Sequence, residues 1–434
     1  MGMIHRRRFL LSGGGAIAAA AAARRPWARA AAAAASPHVV IVGGGFAGGC
    51  CALELRRLSP STGVTLIDAN SSYVTCPMSD AVITELRTMS SVTSTRAGIE
   101  RAGVRLVHDA VARIEADNRR VRLRGGAVVA YDKLVLAPGI RFLFGQPEGY
   151  DEAATQVMPH AWQGGPQTRL LAAQLHSIRD GATLALAVPP GLMRCPPGPY
   201  ERASLIAYWL QQHRRRCKVL IFDSNNHFPR QDVFTDLWKQ HYPGLIEWIP
   251  PTEGGAITRV DPATRTLFSS SGAHRVAIAN VIPRQAPGKL ATAAGLASGH
   301  GWCPVKPATF ESQLVDGIHV IGDACIAGTM PKSASAACSQ ALHCAGAIAA
   351  QLAGHPGAAT DLDSVCYSMV GPEQAIVMRA RFELNNGEIV QAPSDTPARE
   401  SLLEPTRAAE AWYARIRAQC FGDDEAGTKR PADS

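Results

Sequence analysis

Short apolar runs separated by a glycine-rich turn stand out between residues 38 and 67. His38–Val42 and residues 64–67 are almost wholly apolar, as expected for parallel strands buried on both faces. The turn at 43–48 leads into a helical stretch whose apolar positions include Ala52, Leu53 and Leu55. The order of strand, turn, helix and strand predicts a Rossmann-like βαβ unit.

Glycines and one acid occupy the positions that a dinucleotide-binding turn requires. Gly43, Gly45 and Gly48 let the backbone approach a pyrophosphate at the N-terminus of the helix. Asp68 directly follows the second strand, where an acid accepts a hydrogen bond from a ribose hydroxyl. Because both strands accompany this pattern, these four residues are predicted to bind a dinucleotide cofactor.

Two later segments indicate that the dinucleotide is FAD. Residues 131–139, ending in Gly139, resemble the strand and turn that close the first FAD segment of flavoproteins with two dinucleotide domains. Residues 317–323 resemble the second FAD motif of those proteins, in which the residue matching Asp323 binds the ribityl chain. The stretch between the two segments is long enough for a domain of its own. The FAD-binding domain is therefore predicted to be split by an inserted domain.

The inserted domain is predicted to be Rossmann-like but without a nucleotide fingerprint. Its first strand, Thr183–Val188, runs into a proline-rich turn at 189–199, which lacks the backbone donors that hold a pyrophosphate. NADH is therefore not expected as a partner. The predicted fold class is α/β, with two Rossmann-like dinucleotide-binding domains and a small C-terminal α+β interface domain. The domain bounds are 36–148 with 281–356 for FAD binding, 149–280 for the insertion and 357–434 for the C-terminal domain.

The excess of basic residues is confined to the N-terminus. The 434-residue chain has 44 Lys and Arg against 36 Asp and Glu, and residues 1–35 hold six Arg and no acid. Arg6, Arg7 and Arg8 precede an uncharged stretch and a run of small residues, which predicts a twin-arginine signal peptide over 1–35 and a periplasmic protein. The remaining 38 basic and 36 acidic residues do not indicate nucleic-acid binding. No later stretch predicts an integral membrane span.

The chain has eleven cysteines, and their spacing excludes some classes of cofactor. Without a C-x-x-C-H motif or paired C-x-x-C motifs, neither a haem on this chain nor a metal site is expected. Cys50 and Cys51, on the first predicted helix, are interpreted as buried inert thiols. Cys76 follows the second strand, at the sheet edge where a flavin would lie. Cys195 lies in the proline-rich turn and Cys366 near the start of the C-terminal region.

These motifs together resemble the flavoprotein subunit of flavocytochrome c sulfide dehydrogenase, over essentially the whole chain after residue 35. The most specific match is the run 195–204, Cys-Pro-Pro-Gly-Pro-Tyr-Glu-Arg-Ala-Ser. The other matching segments are 40–45, 73–79, 301–305, 317–323, 330–333 and 366–368. The resemblance implies an FAD-dependent enzyme that oxidises sulfide and passes electrons to a c-type cytochrome on a separate chain.

The resemblance also implies roles for individual residues. In the family, the cysteine matching Cys76 forms a thioether to the 8α-methyl of FAD. The cysteines matching Cys195 and Cys366 form a redox-active disulfide beside the flavin ring. The residues matching Pro331, Lys332 and Ser333 lead into a helix whose N-terminus faces the flavin. The positive end of that helix dipole stabilises the reduced, anionic flavin.

The sequence allows two interpretations each for the Cys195–Cys366 pair and for Glu201. A Cys195–Cys366 disulfide, closing a loop of about 170 residues, would also stabilise the fold as a simple cross-link. Glu201, six residues after Cys195, either shuttles protons or is an acid placed at the start of a helix.

Two other functions share the predicted architecture. A sulfide:quinone oxidoreductase would need an apolar membrane-facing surface, for which residues 398–421 give weak support. An accessory flavoprotein of a periplasmic thiosulfate-oxidising system would have the same fold without oxidising sulfide itself. Sulfide oxidation with transfer to a cytochrome is the main prediction.

Overall fold

The computed structural model describes residues 36–214, 216–299, 301–355, 361–393 and 402–422. The predicted signal peptide, residues 1–35, lies outside this part of the chain. The described strands are β1 (His38–Val42), β2 (Gly63–Ile67), β3 (Ser72–Val74), β4 (Thr93–Thr95), β5 (Arg105–Val107), β6 (Val111–Glu115), β7 (Arg120–Leu123), β8 (Val128–Ala130), β9 (Lys133–Leu136), β10 (Ile140–Leu143), β11 (Thr183–Val188), β12 (Lys218–Asp223), β13 (Ile246–Ile249), β14 (Arg259–Asp261), β15 (Thr266–Ser269), β16 (Gly272–Arg275), β17 (Ile278–Val281), β18 (Arg284–Pro287), β19 (Cys303–Pro304), β20 (Ile318–Val320), β21 (Cys325–Ile326), β22 (Leu362–Met369), β23 (Gln374–Asn385), β24 (Glu388–Gln391) and β25 (Leu403–Pro405).

Helices connect and cover these strands, and local sequence accounts for several of their ends. The long helix that begins at Ala334 is capped by the Ser333 hydroxyl, which accepts the Ala336 N–H at 3.2 Å, and it ends at Gly354 in the left-handed conformation. The described helices are α1 (Phe46–Leu58), α2 (Ser79–Ile83), α3 (Ala97–Arg101), α4 (Pro166–His176), α5 (Gly198–His213), α6 (Gln231–His241), α7 (Lys289–Ala293), α8 (Ala334–Ala353) and α9 (Thr406–Phe421).

The first parallel sheet has the strand order β20-β9-β1-β2-β5. The apolar runs that predicted β1 and β2 are buried in it, and Val39, Val40 and Ile41 are fully shielded from solvent. β20 pairs with β9 although the strands of another sheet come between them along the chain. The first sheet is thus completed only after that other sheet, which confirms the predicted α/β fold with a divided Rossmann-like domain.

The second parallel sheet has the strand order β13-β12-β11-β17. Its first strand, β11, has the bounds that the sequence predicts, and Leu184, Ala185 and Leu186 are fully buried. The antiparallel pair β10 and β18 connects the two sheets on either side of this insertion. The proline-rich turn after β11 lies at the carboxyl edge of the sheet, the edge where such folds bind ligands.

The C-terminal part forms an antiparallel sheet of β22, β23, β24 and β25, with α9 after it. Helix α9 packs so closely on α1 that a Cβ atom at Gly49 would collide with the Cys420 carbonyl. Within the described residues, no helix is both long enough and apolar enough to cross a membrane.

Gly48 is required where α1 approaches the preceding turn. A Cβ atom there would overlap the Gly43 carbonyl, whereas a Cβ atom at Gly346 in α8 meets nothing within 4 Å. We expect Gly48→Ala to lower Tm and FAD content together, because the turn must shift. The matched control Gly346→Ala should stabilise the protein by about 0.5–1 kcal/mol, the ordinary gain of alanine over glycine in a helix. Equal melting temperatures for Gly48→Ala and the unmodified protein would contradict this account.

Candidate active site

A cleft lies where the carboxyl edge of the first sheet meets helices α5 and α8. It encloses about 1140 Å³, including the solvent at its mouth. Eight of the predicted site residues line it: Gly45, Cys76, Gly139, Cys195, Glu201, Asp323, Ser333 and Cys366. The structure therefore brings together side chains from both FAD motifs, from the proline-rich turn and from the C-terminal sheet.

The glycine turn forms one end of the cleft. Gly43 has a φ of 98°, which a side chain would strain, and its N–H donates to the Ile67 carbonyl at 2.9 Å. Asp68 does not line the cleft directly; its carboxylate accepts the Gly44 N–H at 2.6 Å. Gly45 precedes α1, and no side chain among the described residues caps this helix end. The turn therefore presents uncapped backbone donors where a pyrophosphate would bind.

Arg96 is a cofactor-binding candidate that the sequence analysis missed. Its side chain is 3% exposed and lies 2.9 Å from the Asp68 carboxylate, yet none of its three guanidinium nitrogens has a well-aligned hydrogen-bond partner among the described residues. A Cβ atom at Gly44 would strike this guanidinium, so Arg96 lies directly against the glycine turn. A buried cation without aligned hydrogen-bond partners fits the diphosphate of a dinucleotide. No spacing motif marks Arg96 in the sequence, because its position depends on the pairing of β3 with β4.

Cys76 also lines the cleft. Its Sγ lies 3.7 Å from the Trp162 carbonyl oxygen. The preceding residue, Thr75, shares a 2.6 Å hydrogen bond with the Tyr413 hydroxyl of α9. This hydrogen bond holds Thr75, the residue before Cys76, against α9.

Cys195 and Cys366 are free thiols that face the same cleft from the turn before α5 and from β22. Cys195 has a φ of 54°, uncommon for a residue with a side chain, and its N–H donates to the Lys332 carbonyl at 2.7 Å. Burial raises the pKa of both thiols, and the charge of Glu201 raises that of Cys195 further. The thiolate form is therefore disfavoured at both positions.

Glu201 is a partly buried carboxyl in the first turn of α5, and it accepts the Met369 N–H at 3.1 Å. Burial raises its pKa to about 8, and the negative charge of Asp80 contributes. Asp80 is in turn paired with Arg202 at 2.8 Å. Arg202 also donates to the carbonyls of residues 160 and 161, which hold the pair in place. At neutral pH the Glu201 carboxyl therefore retains a proton that it can donate within the cleft.

The remaining predicted residues divide between two cavities. Asp323 lines the cleft, and burial raises its pKa while the nearby Arg194, 3.9 Å away, opposes that rise. Ser333 lines the cleft at the start of α8. Pro331 and Lys332 instead line a second cavity, which encloses about 960 Å³ with the solvent at its mouth. The Lys332 ammonium donates to the carbonyls of residues 323 and 325 at 2.8 Å.

Arg194 is a second cation that the sequence analysis did not select, although it adjoins Cys195. Its side chain lines the cleft, and the charges of Cys76 and Asp323 raise its pKa against the opposing effect of burial. Its guanidinium also donates to the Trp162 carbonyl. Arg194 therefore adds a fixed positive charge close to the cysteines of the cleft.

Comparison with known proteins first defines the class of fold. A model of pyridine nucleotide-disulphide oxidoreductases matches residues 37–159. The structure is similar to the sulfide:quinone oxidoreductase of Aquifex aeolicus, with a TM-score of 0.70 at 17% identity, covering 90% of this chain and 93% of that one. It is also similar to a ferredoxin reductase of Rhodopseudomonas palustris, with a TM-score of 0.61 at 17% identity, covering 80% and 83%. The protein thus has the FAD-dependent disulfide oxidoreductase fold.

Two further family models are more specific. The central region of the sulfide dehydrogenase (flavocytochrome c) flavoprotein chain matches residues 168–283, and the flavin-binding region of flavocytochrome c sulphide dehydrogenase matches residues 358–421. These segments hold Cys195 and Cys366. The chain belongs to the family of flavocytochrome c sulfide dehydrogenase flavoproteins, which confirms the resemblance found in the sequence and identifies FAD as the cofactor.

The raised pKa of Glu201 predicts a pH dependence of stability. The folded state keeps the Glu201 proton up to about pH 8, whereas the unfolded chain releases it near pH 4.3. Between these values this group reduces the free energy of unfolding by on the order of 1.4 kcal/mol per pH unit as pH rises. We expect urea unfolding of Glu201→Gln to lack this decline. The exposed Glu247→Gln should retain it, and a decline in Glu201→Gln as steep as in the unmodified protein would refute the assignment.

Proposed function

We propose that this chain oxidises sulfide at a Cys195–Cys366 disulfide, with FAD held covalently through Cys76, and that its electrons pass to a separate c-type cytochrome. The observation that carries the proposal is the convergence of Cys76, Cys195, Cys366 and Glu201 on one cleft. Its wall also carries residues from the two FAD motifs.

The sulfur chemistry requires an electrophile for a small anionic nucleophile. Hydrosulfide attacks one sulfur of the disulfide, which forms a new S–S bond and breaks the bond between Cys195 and Cys366. One cysteine then carries a persulfide and the other is released as a thiolate. Burial disfavours that thiolate, as the raised pKa of both thiols indicates. The leaving sulfur must therefore receive a proton or pass its electrons on.

Glu201 is the group that can supply this proton. Its carboxyl has a pKa of about 8, and its charge acts on both Cys195 and Cys366. In the protonated form it adds no negative charge to the path of the incoming hydrosulfide. This favours the proton-shuttle interpretation over that of an acid placed only to satisfy the dipole of α5.

The residues present fit FAD. The uncapped start of α1 and the guanidinium of Arg96 suit the diphosphate, Asp323 suits the ribityl chain, and Cys76 lies where a thioether could form. Bound FAD supplies an acceptor for two electrons beside the cysteine pair and can release them singly. The start of α8 at Ser333 directs the positive end of a helix dipole into the cleft, which favours added negative charge there.

NADH is not a partner in this proposal, because the acid of the second Rossmann-like sheet that would hold its ribose is already hydrogen-bonded within the protein. The acid that would hold a ribose, Asp223 at the end of β12, is fully buried. Its carboxylate accepts hydrogen bonds from Tyr200 at 2.5 Å and Trp248 at 2.9 Å. The Tyr200 ring also stacks on Phe228, with ring centroids 3.6 Å apart. A protein acceptor is therefore the more suitable outlet for electrons.

Family membership supports the choice of a c-type cytochrome as that acceptor and sulfide as the substrate. The twin-arginine pattern of residues 1–35 supports export to the periplasm after folding. Such a route suits a protein that must acquire its cofactor before export.

The proposed function is tested by anaerobic stopped-flow absorbance of the holoprotein mixed with sulfide. We expect rapid flavin bleaching, followed by haem reduction when a c-type cytochrome is added. Cys195→Ser should retain FAD but bleach only at the background rate, because no disulfide can form. Cys217→Ser, which removes a buried thiol just before β12 and away from the cleft, should behave as the unmodified protein.

Other results of this experiment would overturn the proposal. A flavin that stays oxidised in sulfide would favour an accessory role in thiosulfate oxidation. If a quinone but not a cytochrome restores the absorbance of the oxidised flavin after bleaching, the protein is a quinone-reducing enzyme. Normal bleaching in Cys195→Ser would exclude the disulfide step.

Covalent attachment is tested separately. After acid precipitation, FAD absorbance should remain with the unmodified protein and move to the supernatant in Cys76→Ala, because the variant lacks the sulfur that forms the thioether. Cys303→Ala, which removes a buried thiol outside the cleft, serves as the control. Release of the flavin from the unmodified protein would show that it is bound non-covalently.

A further inference from the structure

Three buried cysteines outside the cleft form a compact cluster. Cys50, Cys338 and Cys420 come from α1, α8 and α9, and all three Sγ atoms lie within 4.8 Å of one another. Their exposures are 1%, 3% and 0%. The sequence analysis interpreted Cys50 as an inert buried thiol, and the proposed sulfide chemistry uses none of the three. We call them the thiol triad.

The closest contact within the thiol triad is between Cys50 and Cys338. Their sulfur atoms are 2.7 Å apart. Non-bonded carbon atoms ordinarily rest about 3.5–4.0 Å apart, sulfur is no smaller than carbon, and a disulfide bond measures about 2.05 Å. The two side chains therefore already point at each other at less than contact distance, so little movement separates them from a covalent bond.

The geometry and charges of the thiol triad favour a disulfide over a metal ion. Zinc–sulfur bonds of about 2.3 Å in a tetrahedral site hold the sulfurs roughly 3.8 Å apart, farther than Cys50 and Cys338. Three thiolates around one metal ion would also leave a net negative charge in a buried site. The charged side chains that act on Cys338 are the carboxylates Glu54 and Asp363, which oppose further negative charge. A disulfide is neutral and carries no such cost.

We propose that the thiol triad is a second redox site, in which Cys50 and Cys338 are oxidised to a disulfide by a hydroperoxide and Cys420 activates Cys338. The bond would join α1 to α8. Ala47 of α1 and Ala334 of α8 line the FAD cleft, each within about one helical turn of the cysteine on its helix. The cross-link would therefore fix the two helix ends between which the cofactor binds.

The oxidation is balanced with hydrogen peroxide, which is small and uncharged and so suited to entering a buried site. The Cys338 thiolate attacks one peroxide oxygen, the O–O bond breaks, and hydroxide leaves as Cys338 becomes a sulfenic acid. The hydroxide takes up the proton that Cys338 had released. The Cys50 sulfur then attacks Cys338, and the sulfenic oxygen leaves as water with the Cys50 proton. Two thiols lose two electrons, and one peroxide is reduced to two waters.

Cys420 is a positioning residue for this reaction. Hydrogen bonds from Cys420 and Cys50 lower the pKa of Cys338 to about 5, so that its thiolate is present at neutral pH. Glu54 and Asp363 oppose this effect, and Cys51 acts on Cys50 from the same helix. Removing the Cys420 donor should therefore raise the pH at which Cys338 reacts.

The experiment uses holoprotein that carries Cys195→Ser and Cys366→Ser, so that the catalytic pair does not contribute. The protein is reduced, treated anaerobically with one equivalent of hydrogen peroxide, denatured in an alkylating reagent and analysed by peptide mass spectrometry. We expect a Cys50–Cys338 cross-link in most molecules, with Cys217, a buried thiol outside the triad, still alkylated. The rate in Cys420→Ala should fall about tenfold at pH 7 and recover at higher pH, and Cys420→Ser should restore it.

Three results would overturn the proposal. One is a triad that stays fully reduced under peroxide while other thiols oxidise. Another is a cross-link of Cys338 to Cys420 instead of Cys50. The third is an equivalent of zinc or copper in the purified protein that elemental analysis no longer finds in Cys338→Ser, which would make the triad a metal site. The cross-link is detected in protein that retains both Cys50 and Cys338. The test therefore does not require that variants of those two residues fold.

Discussion

Partial burial of the polar side chains around the cleft is the condition on which the rest of the site depends. Burial is the largest cause of the raised pKa at Cys195, Cys366, Glu201 and Asp323 alike. In the cleft each of these groups is biased toward its neutral form, while the guanidinium groups of residues 194 and 202 carry positive charge beside them. A site so arranged disfavours free thiolates and retains a proton on Glu201, so a cysteine sulfur that leaves a disulfide here would need a proton donor beside it.

This environment results from the way in which two parallel sheets share one chain. The first sheet receives its last strand, β20, only after the second sheet is complete. The return of the chain places Asp323 and the start of α8 beside the glycine turn of β1. The turn after β11, which in a nucleotide-binding sheet would hold a pyrophosphate, instead reaches into the cleft with Arg194 and Cys195. One carboxyl edge thus serves the cofactor, and the other supplies a reactive sulfur.

Much of the fold could be predicted from short segments, because strand burial and the glycine turn are encoded locally. The apolar runs predicted β1, β2 and β11 within a residue of their observed ends. The positive φ of Gly43 and the lack of room at Gly48 explain why a glycine pattern there is informative. The return of β20 was also foreseeable, since its motif is recognisable. Burial of Cys50 was predicted correctly, but its contact with Cys338 and Cys420 was not predicted.

Local patterns in the chain were enough to establish the Rossmann-like units, the division of the first by the second and the cysteines that the family uses. The charged groups around those cysteines became known from the three-dimensional packing: Arg96 lies against the glycine turn, Arg202 pairs with Asp80 beside Glu201, and the Lys332 ammonium binds backbone carbonyls. The physical reason is one of range. Periodicity and backbone freedom act over a few residues and leave a local pattern, whereas the partners of a buried group come from distant segments, 122 positions apart for Arg202 and Asp80 and 288 for Cys50 and Cys338.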